Sequence, residues 1–379
     1  MAHNGKILVG GDKDMKRLAK RSNHSALNEM ERKALEEERL NAKYNLKRQT
    51  GDVVDGNKSL WYVKSQQIRK AHGYNNPVYW VSYARNNRFI ATGGHDKHCA
   101  IWDTIQFKCY KRLRNHTGPV RQCEFSPDGT MIATCAEAVL YVWMIETGEN
   151  LVTVREMHEG LINSVDWSPN GNMLATGSND KQVKIWSVEK LLGPPSMDRG
   201  CVLTCSTGHN AHLSRIHRVA FSPASDFILS ASADCSVKMW NLLRMGTHER
   251  TFNCHKDSVL GLHWNSNGTR FASASHDGTI VIWNPESPTP MRIMRGTGDI
   301  FYRAVFGPEA DAKGGRLVSI GHYPQMIFWN SRSGKKLNVA KLNAKGWTTC
   351  VAFSHDGKKL VTTSTEGANS IIVYDAQPQ

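Results

Sequence analysis

The sequence of 379 residues predicts an all-β fold, a seven-bladed β-propeller, preceded by a charged N-terminal α-helical extension. An apolar strand that ends in an aromatic residue recurs seven times, at intervals of 41 to 54 residues: Trp102, Trp143, Trp186, Trp240, Trp283, Trp329 and Tyr374. Turn sequences such as SPDG and SPNG recur in step with these strands. Two series in matched register indicate seven copies of one small sheet, which a ring of neighbours can bury on both faces.

The chain is basic, with 48 Lys and Arg against 34 Asp and Glu and a formal net charge of +14. This excess favours an acidic partner: RNA, DNA, an acidic protein surface such as tubulin, or an anionic surface of another kind. The sequence shows no apolar run of membrane-spanning length, no signal-peptide core, and no C-x-x-C pair among its nine cysteines. We therefore expect an intracellular protein of the nucleus or cytoplasm, with the cytoskeleton as a possible location, and no membrane contact.

Residues 1–57 are predicted to form a charged helical extension followed by a linker, and residues 58–379 to form the propeller. The stretch from Asp12 to Gln49 contains neither Pro nor Gly and is rich in strong helix formers. The seventh repeat reaches Asp375 with sequence for only three strands, whereas an orphan strand precedes the first repeat. We therefore expect residues 58–70 to complete the last blade and close the ring.

The repeats resemble those of the WD40 family in their Trp-Asp or Trp-Asn closures, an upstream His, and an Asp six residues before the Trp. The resemblance covers about residues 58–379. In that family a His, a Ser or Thr, an Asp and a Trp form a hydrogen-bonded tetrad within each blade. Three repeats carry the whole set: His158, Thr176, Asp180 and Trp186; His212, Ser230, Asp234 and Trp240; and His255, Ser273, Asp277 and Trp283.

The other repeats match the tetrad pattern in part, and we expect their strands to form nonetheless. The first two sets are His72, Thr92, Asp96 and Trp102, and then His116, Thr134 and Trp143 with Glu137 at the Asp position. The sixth repeat has Gly296 and Tyr323 at the His and Asp positions, and the seventh has Asn343, Ala368 and Tyr374.

The resemblance also implies where partners bind. WD40 propellers dock partners on the narrower face around the central channel, through loops between blades and through the residue just before the tetrad Asp. On this sequence the implied partner-binding residues are His95, Asn179, His276, Arg215, Tyr74, Phe301 and Tyr302. Histidines, an amide and aromatic rings on one face are suited to hydrogen bonding and stacking with a peptide.

The sequence contains no phosphate-binding loop, nucleophile elbow or zinc-hydrolase motif. The repeat itself accounts for the many His and Asp residues. We therefore expect a protein that is not an enzyme, with no catalytic residues, no metal, no cofactor and no small-molecule substrate.

The resemblance favours a non-catalytic interaction scaffold, a structural subunit of a large ribonucleoprotein or cytoskeletal (axonemal) assembly. Other protein subunits would contact the propeller faces and the N-terminal helix, and RNA or an acidic protein would contact the basic surface. The alternative is an adaptor or signalling module. Trp329-Asn330-Ser331-Arg332 resembles the W-D-x-R signature of cullin ubiquitin-ligase substrate receptors, and a helix ahead of seven blades resembles a G-protein β subunit.

Overall fold

A computed structural model describes residues 65–67, 77–106, 108–156, 158–194, 200–206, 208–296, 300–308, 315–342, 345–366 and 371–376. The predicted helical extension over 1–57 lies outside these residues, and the division between 1–57 and 58–379 stays a prediction. Within the described part of the chain, no helix combines the length and apolarity needed to cross a bilayer.

The described strands form seven antiparallel sheets of four, one for each predicted blade, and this confirms the all-β seven-bladed architecture. The chain begins with β1 (Ser65–Gln67). Blade one contains β2 (Val78–Tyr83), β3 (Phe89–Gly94), β4 (Cys99–Asp103) and β5 (Lys108–Leu113). Blade two contains β6 (Val120–Phe125), β7 (Met131–Ala136), β8 (Val139–Met144) and β9 (Asn150–Val154). Blade three contains β10 (Ile162–Trp167), β11 (Met173–Ser178), β12 (Val183–Ser187) and β13 (Cys201–Cys205), with a short helix α1 (Val188–Leu192) after β12.

The remaining blades repeat the same order. Blade four contains β14 (Ile216–Phe221), β15 (Phe227–Ser232), β16 (Ser236–Asn241) and β17 (Thr247–Asn253). Blade five contains β18 (Val259–Trp264), β19 (Phe271–Ser275), β20 (Thr279–Trp283) and β21 (Pro290–Arg295). Blade six contains β22 (Phe301–Phe306), β23 (Arg316–Gly321), β24 (Gln325–Asn330) and β25 (Lys336–Lys341). Blade seven contains β26 (Lys345–Phe353), β27 (Lys359–Glu366), β28 (Ile371–Asp375) and the N-terminal β1.

The first strands of the seven blades surround the axis of the ring. Each contacts the first strand of the next blade, and the cycle returns from β26 to β2. Apolar side chains fill the space between adjacent blades, as where Leu140 and Val142 of blade two pack with Val165 and Trp186 of blade three. Each such aliphatic or aromatic side chain contributes about 1.5 to 3 kcal/mol when it is fully buried. A single sheet cannot obtain this burial alone, so the blades depend on one another.

A β-bulge marks the first strand of every blade. In blade one the register shifts between Val78 and Trp80, which leaves Tyr79 as the extra residue, and the same shift occurs in the other six. A bulge re-aims the side chains beside it. The residues just after the bulges of blades one, two, four and six are Trp80, Gln122, Arg218 and Arg303, and their side chains meet in the channel.

Blade seven is built from both ends of the propeller. Its sheet order is β26, β27, β28 and β1, with Ser65 opposite Tyr374 and Gln67 opposite Ile372. The outer strand thus belongs to the segment before blade one. This pairing joins the two ends of the ring by hydrogen bonds rather than by a covalent link.

Removal of the closing strand should open the ring. We expect a chain that lacks residues 1–70 to unfold at lower temperature than a chain that lacks only residues 1–57, because the first has lost the strand that pairs with β28. The loss should amount to several kcal/mol, given the backbone pairing and the apolar residues of this segment. Equal melting temperatures for the two chains would contradict closure by this strand.

Candidate functional site: the loop face and the channel

Blades three, four and five each contain their own chain of side-chain hydrogen bonds in the interior of the sheet. In blade three the Trp186 Nε1–H donates to Thr176 Oγ1 at 3.0 Å, and His158 Nε2 lies 2.8 Å from the same hydroxyl. The other ring nitrogen, His158 Nδ1, lies 2.6 Å from Asp180 Oδ2. The hydroxyl can therefore accept from the indole and donate to the imidazole, while the imidazole donates to the carboxylate. Every polar atom in the set has a partner.

The four tetrad residues of blade four, and those of blade five, are connected in the same way. In blade four the distances are 2.8 Å (Trp240 to Ser230), 2.7 Å (His212 to Ser230) and 2.8 Å (His212 to Asp234). In blade five they are 2.8 Å (Trp283 to Ser273), 2.7 Å (His255 to Ser273) and 3.2 Å (His255 to Asp277). The structure thus brings together each of the three predicted sets.

The incomplete sets keep the bond between Trp and hydroxyl. It measures 2.9 Å in blade one (Trp102 to Thr92), 3.0 Å in blade two (Trp143 to Thr134) and 2.8 Å in blade six (Trp329 to Ser319). His72 lies outside the described residues. This bond therefore survives where the His or Asp of the pattern is replaced.

Glu137 does not take the Asp position in blade two. Ala136 pairs directly with Val139, so Glu137 stands in a two-residue turn at a φ of 54°. The turn is shorter than in blade three, where four residues separate the strands. His116 Nδ1 lies 3.2 Å from the Lys97 carbonyl of blade one instead.

The tetrad carboxyls are held in their ionised form. Burial alone would raise the pKa of Asp180 and of Asp277, but hydrogen bonds from His158 and His255, together with backbone N–H groups, lower both pKa values below the usual range. Asp234 behaves in the same way. These carboxyls therefore fix the imidazole rings and the loops that carry them.

We call one side of the ring the loop face. It carries the connections between blades and the turns between second and third strands, and the tetrad His and Asp residues lie there. Three side-chain pairs lie on it, each joining a bulge residue to the residue that precedes the tetrad Asp or its equivalent. They are Tyr79 Oη to His95 Nδ1 at 3.0 Å, Asn163 Nδ2 to Asn179 Oδ1 at 2.7 Å, and Tyr302 Oη to His322 Nδ1 at 3.2 Å.

The third pair extends to an exposed indole. The ring of Trp347, which is 45% exposed, lies 4.7 Å from the His322 ring with an angle of 36° between the planes. Sequence reasoning did not select His322 or Trp347. The signal for His322 was its place just before Tyr323, which stands at the Asp position of the sixth repeat.

The other predicted contact residues have separate outcomes. Arg215 is exposed, as is His276, whose Nδ1 lies 3.0 Å from Asp257 Oδ2. Tyr74 lies outside the described residues. Phe301 is 1% exposed and packs edge-on against Trp329 in the core, so it cannot contact a partner at this face. The prediction that Phe301 binds a partner is therefore corrected. Phe301 precedes the bulge and points inward, whereas Tyr302 reaches the loop face.

The channel contains a cluster that joins several blades. The Trp80 ring, 3% exposed, has the guanidinium carbons of Arg218 and Arg303 each 3.8 Å from its centroid. Its Nε1–H donates to Glu124 Oε1 at 2.9 Å. Gln122 connects Glu124 to Arg218 through bonds of 3.0 and 2.6 Å. Cation–π and charge-assisted contacts therefore link blades one, two, four and six across the axis.

Burial shifts the titration of the groups around this cluster. Burial, and then the nearby Glu124, raise the pKa of Asp166 to about 8. Burial, and then repulsion from Arg303, lower the pKa of Arg218 to about 9. A cavity of about 540 Å³ lies beside these residues on the side away from the loop face. Among the residues that the structure describes, no three His, Cys, Asp or Glu side chains group as metal ligands.

The fold defines a seven-bladed propeller with tetrad-bearing blades, and the chain belongs to the WD40 family. The family model described as "WD domain, G-beta repeat" matches residues 64–103, 107–143, 149–187, 200–241, 246–284 and 337–375. The unmatched interval between 285 and 336 covers the outer strand of blade five and the first three strands of blade six, where the tetrad is incomplete. Propellers of this family bind protein partners and are generally non-catalytic.

Several curated proteins are similar to the chain. It is 24% identical to a periodic tryptophan protein 2 homolog of Dictyostelium discoideum, over 84% of the chain and 31% of that protein. It is 22% identical to a guanine nucleotide-binding protein subunit beta of Nicotiana plumbaginifolia, over 78% of the chain and 80% of that protein. It is 33% identical to human apoptotic protease-activating factor 1, over 55% of the chain and 16% of that protein. The chain spans about a third of the length of the periodic tryptophan proteins that it matches.

Loss of one tetrad hydroxyl should destabilise the propeller. Thr176→Val keeps the side-chain shape but leaves Trp186 Nε1 and His158 Nε2 without their shared partner. We expect the free energy of unfolding in urea to fall by about 2 to 4 kcal/mol, since two buried polar groups lose a hydrogen bond. The matched control Thr153→Val, at an exposed strand position, should change it by less than about 0.5 kcal/mol. Equal effects of the two substitutions would refute the role of the hydroxyl.

Asp166 should make stability depend on pH. The pKa of Asp166 in the folded protein, about 8, lies above the ordinary value for a carboxyl. The stabilisation of the fold by the protonated carboxyl is therefore complete at acid pH and is lost as the pH rises through about 8. We compare the free energy of unfolding of Asp166→Asn with that of the wild type. When the pH rises from 5 to 9, we expect this difference to shift in favour of the variant by at least about 1 kcal/mol. Urea titrations of both proteins at the two pH values test this, and a pH-independent difference would contradict it.

Proposed function

We propose that the protein is a non-catalytic scaffold whose loop face holds an extended segment of a partner subunit. The observation that carries this proposal is an arc of two groups of aromatic and imidazole side chains on the loop face of the neighbouring blades six, seven and one. Tyr302, His322 and Trp347 form one end of the arc, and Tyr79 and His95 form the other. Thr349 Oγ1 donates to the Val78 carbonyl at 2.6 Å and joins the two ends.

The arc has the chemistry of a peptide contact. Partly exposed rings supply apolar area, while phenol and imidazole groups supply hydrogen bonds at the same place. Two exposed guanidinium groups, Arg121 and Arg215, stand on the loop face of blades two and four. A partner segment with apolar or aromatic anchors and at least one acidic group matches this distribution.

The scaffold would act as a structural subunit of a multi-subunit assembly, ribonucleoprotein or cytoskeletal, in the nucleus or cytoplasm. Other protein subunits would occupy the propeller faces, and the predicted N-terminal helix would add a contact. The +14 charge supports an acidic partner, either RNA or protein.

A G-protein-β-like module is the second candidate. The match to the Nicotiana plumbaginifolia subunit beta covers 78% of this chain and 80% of that protein, so the two sequences align over most of their lengths. A cullin adaptor is supported less, because Asn330 replaces the Asp of the signature and its Oδ1 accepts the Arg332 N–H within the turn at 3.0 Å.

Loss of the aromatic arc should release the partners. We expect Tyr302→Ala/Trp347→Ala to reduce by at least about tenfold the amount of partner subunit that co-purifies with the full chain, as truncation of interface aromatics does. The matched control is Ile105→Ala/Leu243→Ala, which removes two apolar side chains that are 75% and 80% exposed on the opposite side of the ring.

Native co-purification with quantitative mass spectrometry, with and without nuclease, measures the outcome. Partners that persist after nuclease and vanish only in the loop-face variant support a protein-binding scaffold. Partners lost with nuclease point to the RNA form of the assembly. Equal retention by both variants would rule out the loop face as the docking surface.

A further inference from the structure

Blade six differs from its neighbours in charge. Between Ala312 and His355 the sequence contains seven Lys or Arg residues and no Asp or Glu. In blades one to five, the segment from the end of the third strand through the fourth strand always includes a carboxylate: Asp103, Glu146, Glu189, Glu249 and Glu286. The corresponding segment of blade six, residues 330–341, includes none. Its positive charge is therefore not balanced locally.

This charge stands beside exposed aliphatic side chains on the outer strand. Leu337 and Val339 of β25 are each 40% exposed. The lysines before, within and at the end of β25 are exposed, and none of them has an ion-pair partner among the described residues. We call this surface the basic strip: Lys335, Lys336, Leu337, Val339 and Lys341. Arg292 of blade five adds a further cation alongside, where its Nε donates to the Arg332 carbonyl at 3.0 Å.

The basic strip follows a free sheet edge. β25 is the last strand of its sheet and pairs with β24 on one side only, from Gln325 opposite Lys341 to Trp329 opposite Lys336. Among the described residues no strand pairs with its other side. A free edge offers backbone N–H and C=O groups to an incoming strand. Lysines on that edge repel a second copy of this chain but attract an acidic strand.

We propose that the basic strip binds an extended acidic protein segment, in which carboxylates alternate with apolar residues, as a fifth strand on β25. Leu337, Val339 and Lys341 share one face of β25, and on that face the apolar side chains of an added strand would pack against Leu337 and Val339. The carboxylates of the segment would reach the long side chains of Lys335 and Lys336 before this stretch and of Lys341 at its end. A protein segment is favoured over single-stranded RNA because the strip contains aliphatic side chains and no aromatic ring on which a base could stack. The proposal concerns the outer rim and does not depend on the loop face.

The test uses the full chain and a labelled twelve-residue peptide of alternating Glu and Val. Fluorescence anisotropy gives its affinity, and hydrogen exchange maps the amides that it protects. We expect Lys336→Glu/Lys341→Glu to weaken binding at least tenfold. The matched control, Arg244→Glu/Lys256→Glu, changes charge equally at exposed sites on blade four and on the loop that follows it, and should stay within twofold of the wild type. Tyr302→Ala/Trp347→Ala should also bind normally, which separates this site from the loop face.

Two further probes distinguish strand addition from general charge attraction. The same peptide with alternate backbone N-methyl groups keeps its charge but loses amide donors, and we expect at least tenfold weaker binding. Hydrogen exchange of residues 336–341 should slow when the unmodified peptide binds. The proposal would be overturned if the peptide did not bind, if the methylated peptide bound equally well, or if another strand were protected. It would also be overturned if a twelve-nucleotide oligouridine bound more tightly than the peptide and lost this binding in Lys336→Glu/Lys341→Glu.

Discussion

The bond from the Trp indole to a Ser or Thr hydroxyl is the interaction on which the blades depend. It recurs in six blades, with acceptors Thr92, Thr134, Thr176, Ser230, Ser273 and Ser319. It ties the third strand to the second inside the sheet, where an unpaired N–H would cost about 1 to 3 kcal/mol. In blades three to five the bond continues through His to Asp and reaches the loop face. The interior of the sheet and the position of the loops are thus set by one chain of hydrogen bonds.

The channel cluster supplies a second constraint, across blades rather than within them. Trp80, Glu124, Arg218 and Arg303 belong to four different blades, and each touches at least one of the others. Together with closure by β1, this cluster makes the ring one unit. A preformed surface loses little conformational entropy when a partner binds. The rigidity of the ring therefore suits a protein that holds others in place.

The regular parts of the fold follow from the sequence because spacing encodes them. In blades three to five the Trp follows the hydroxyl residue by ten positions, and the Asp follows the His by 22. Those intervals reflect strand lengths that differ little from blade to blade. The insertion of a bulge is less visible in sequence. It decides that Tyr302 reaches the loop face while Phe301 enters the core, and this one-residue difference explains the error at Phe301.

Contacts between distant parts of the sequence could not be predicted in the same way. Trp80 meets Arg218 and Arg303 because all three follow bulges in first strands, yet no local pattern links them. His322 was overlooked because the repeat around it departs from the pattern. Glu137 was assigned by counting back from Trp143, whereas the turn before β8 is shorter than in blade three.

Hydrogen exchange of the native complex tests the central claim most directly. The protein would be isolated with its partners, and amide exchange would be compared with that of the free chain. Slower exchange at residues 77–80, 95–98, 300–302 and 345–349 is the result expected of a scaffold that binds through its loop face. Unchanged exchange in these four segments, with protection confined to the opposite side of the ring, would contradict it.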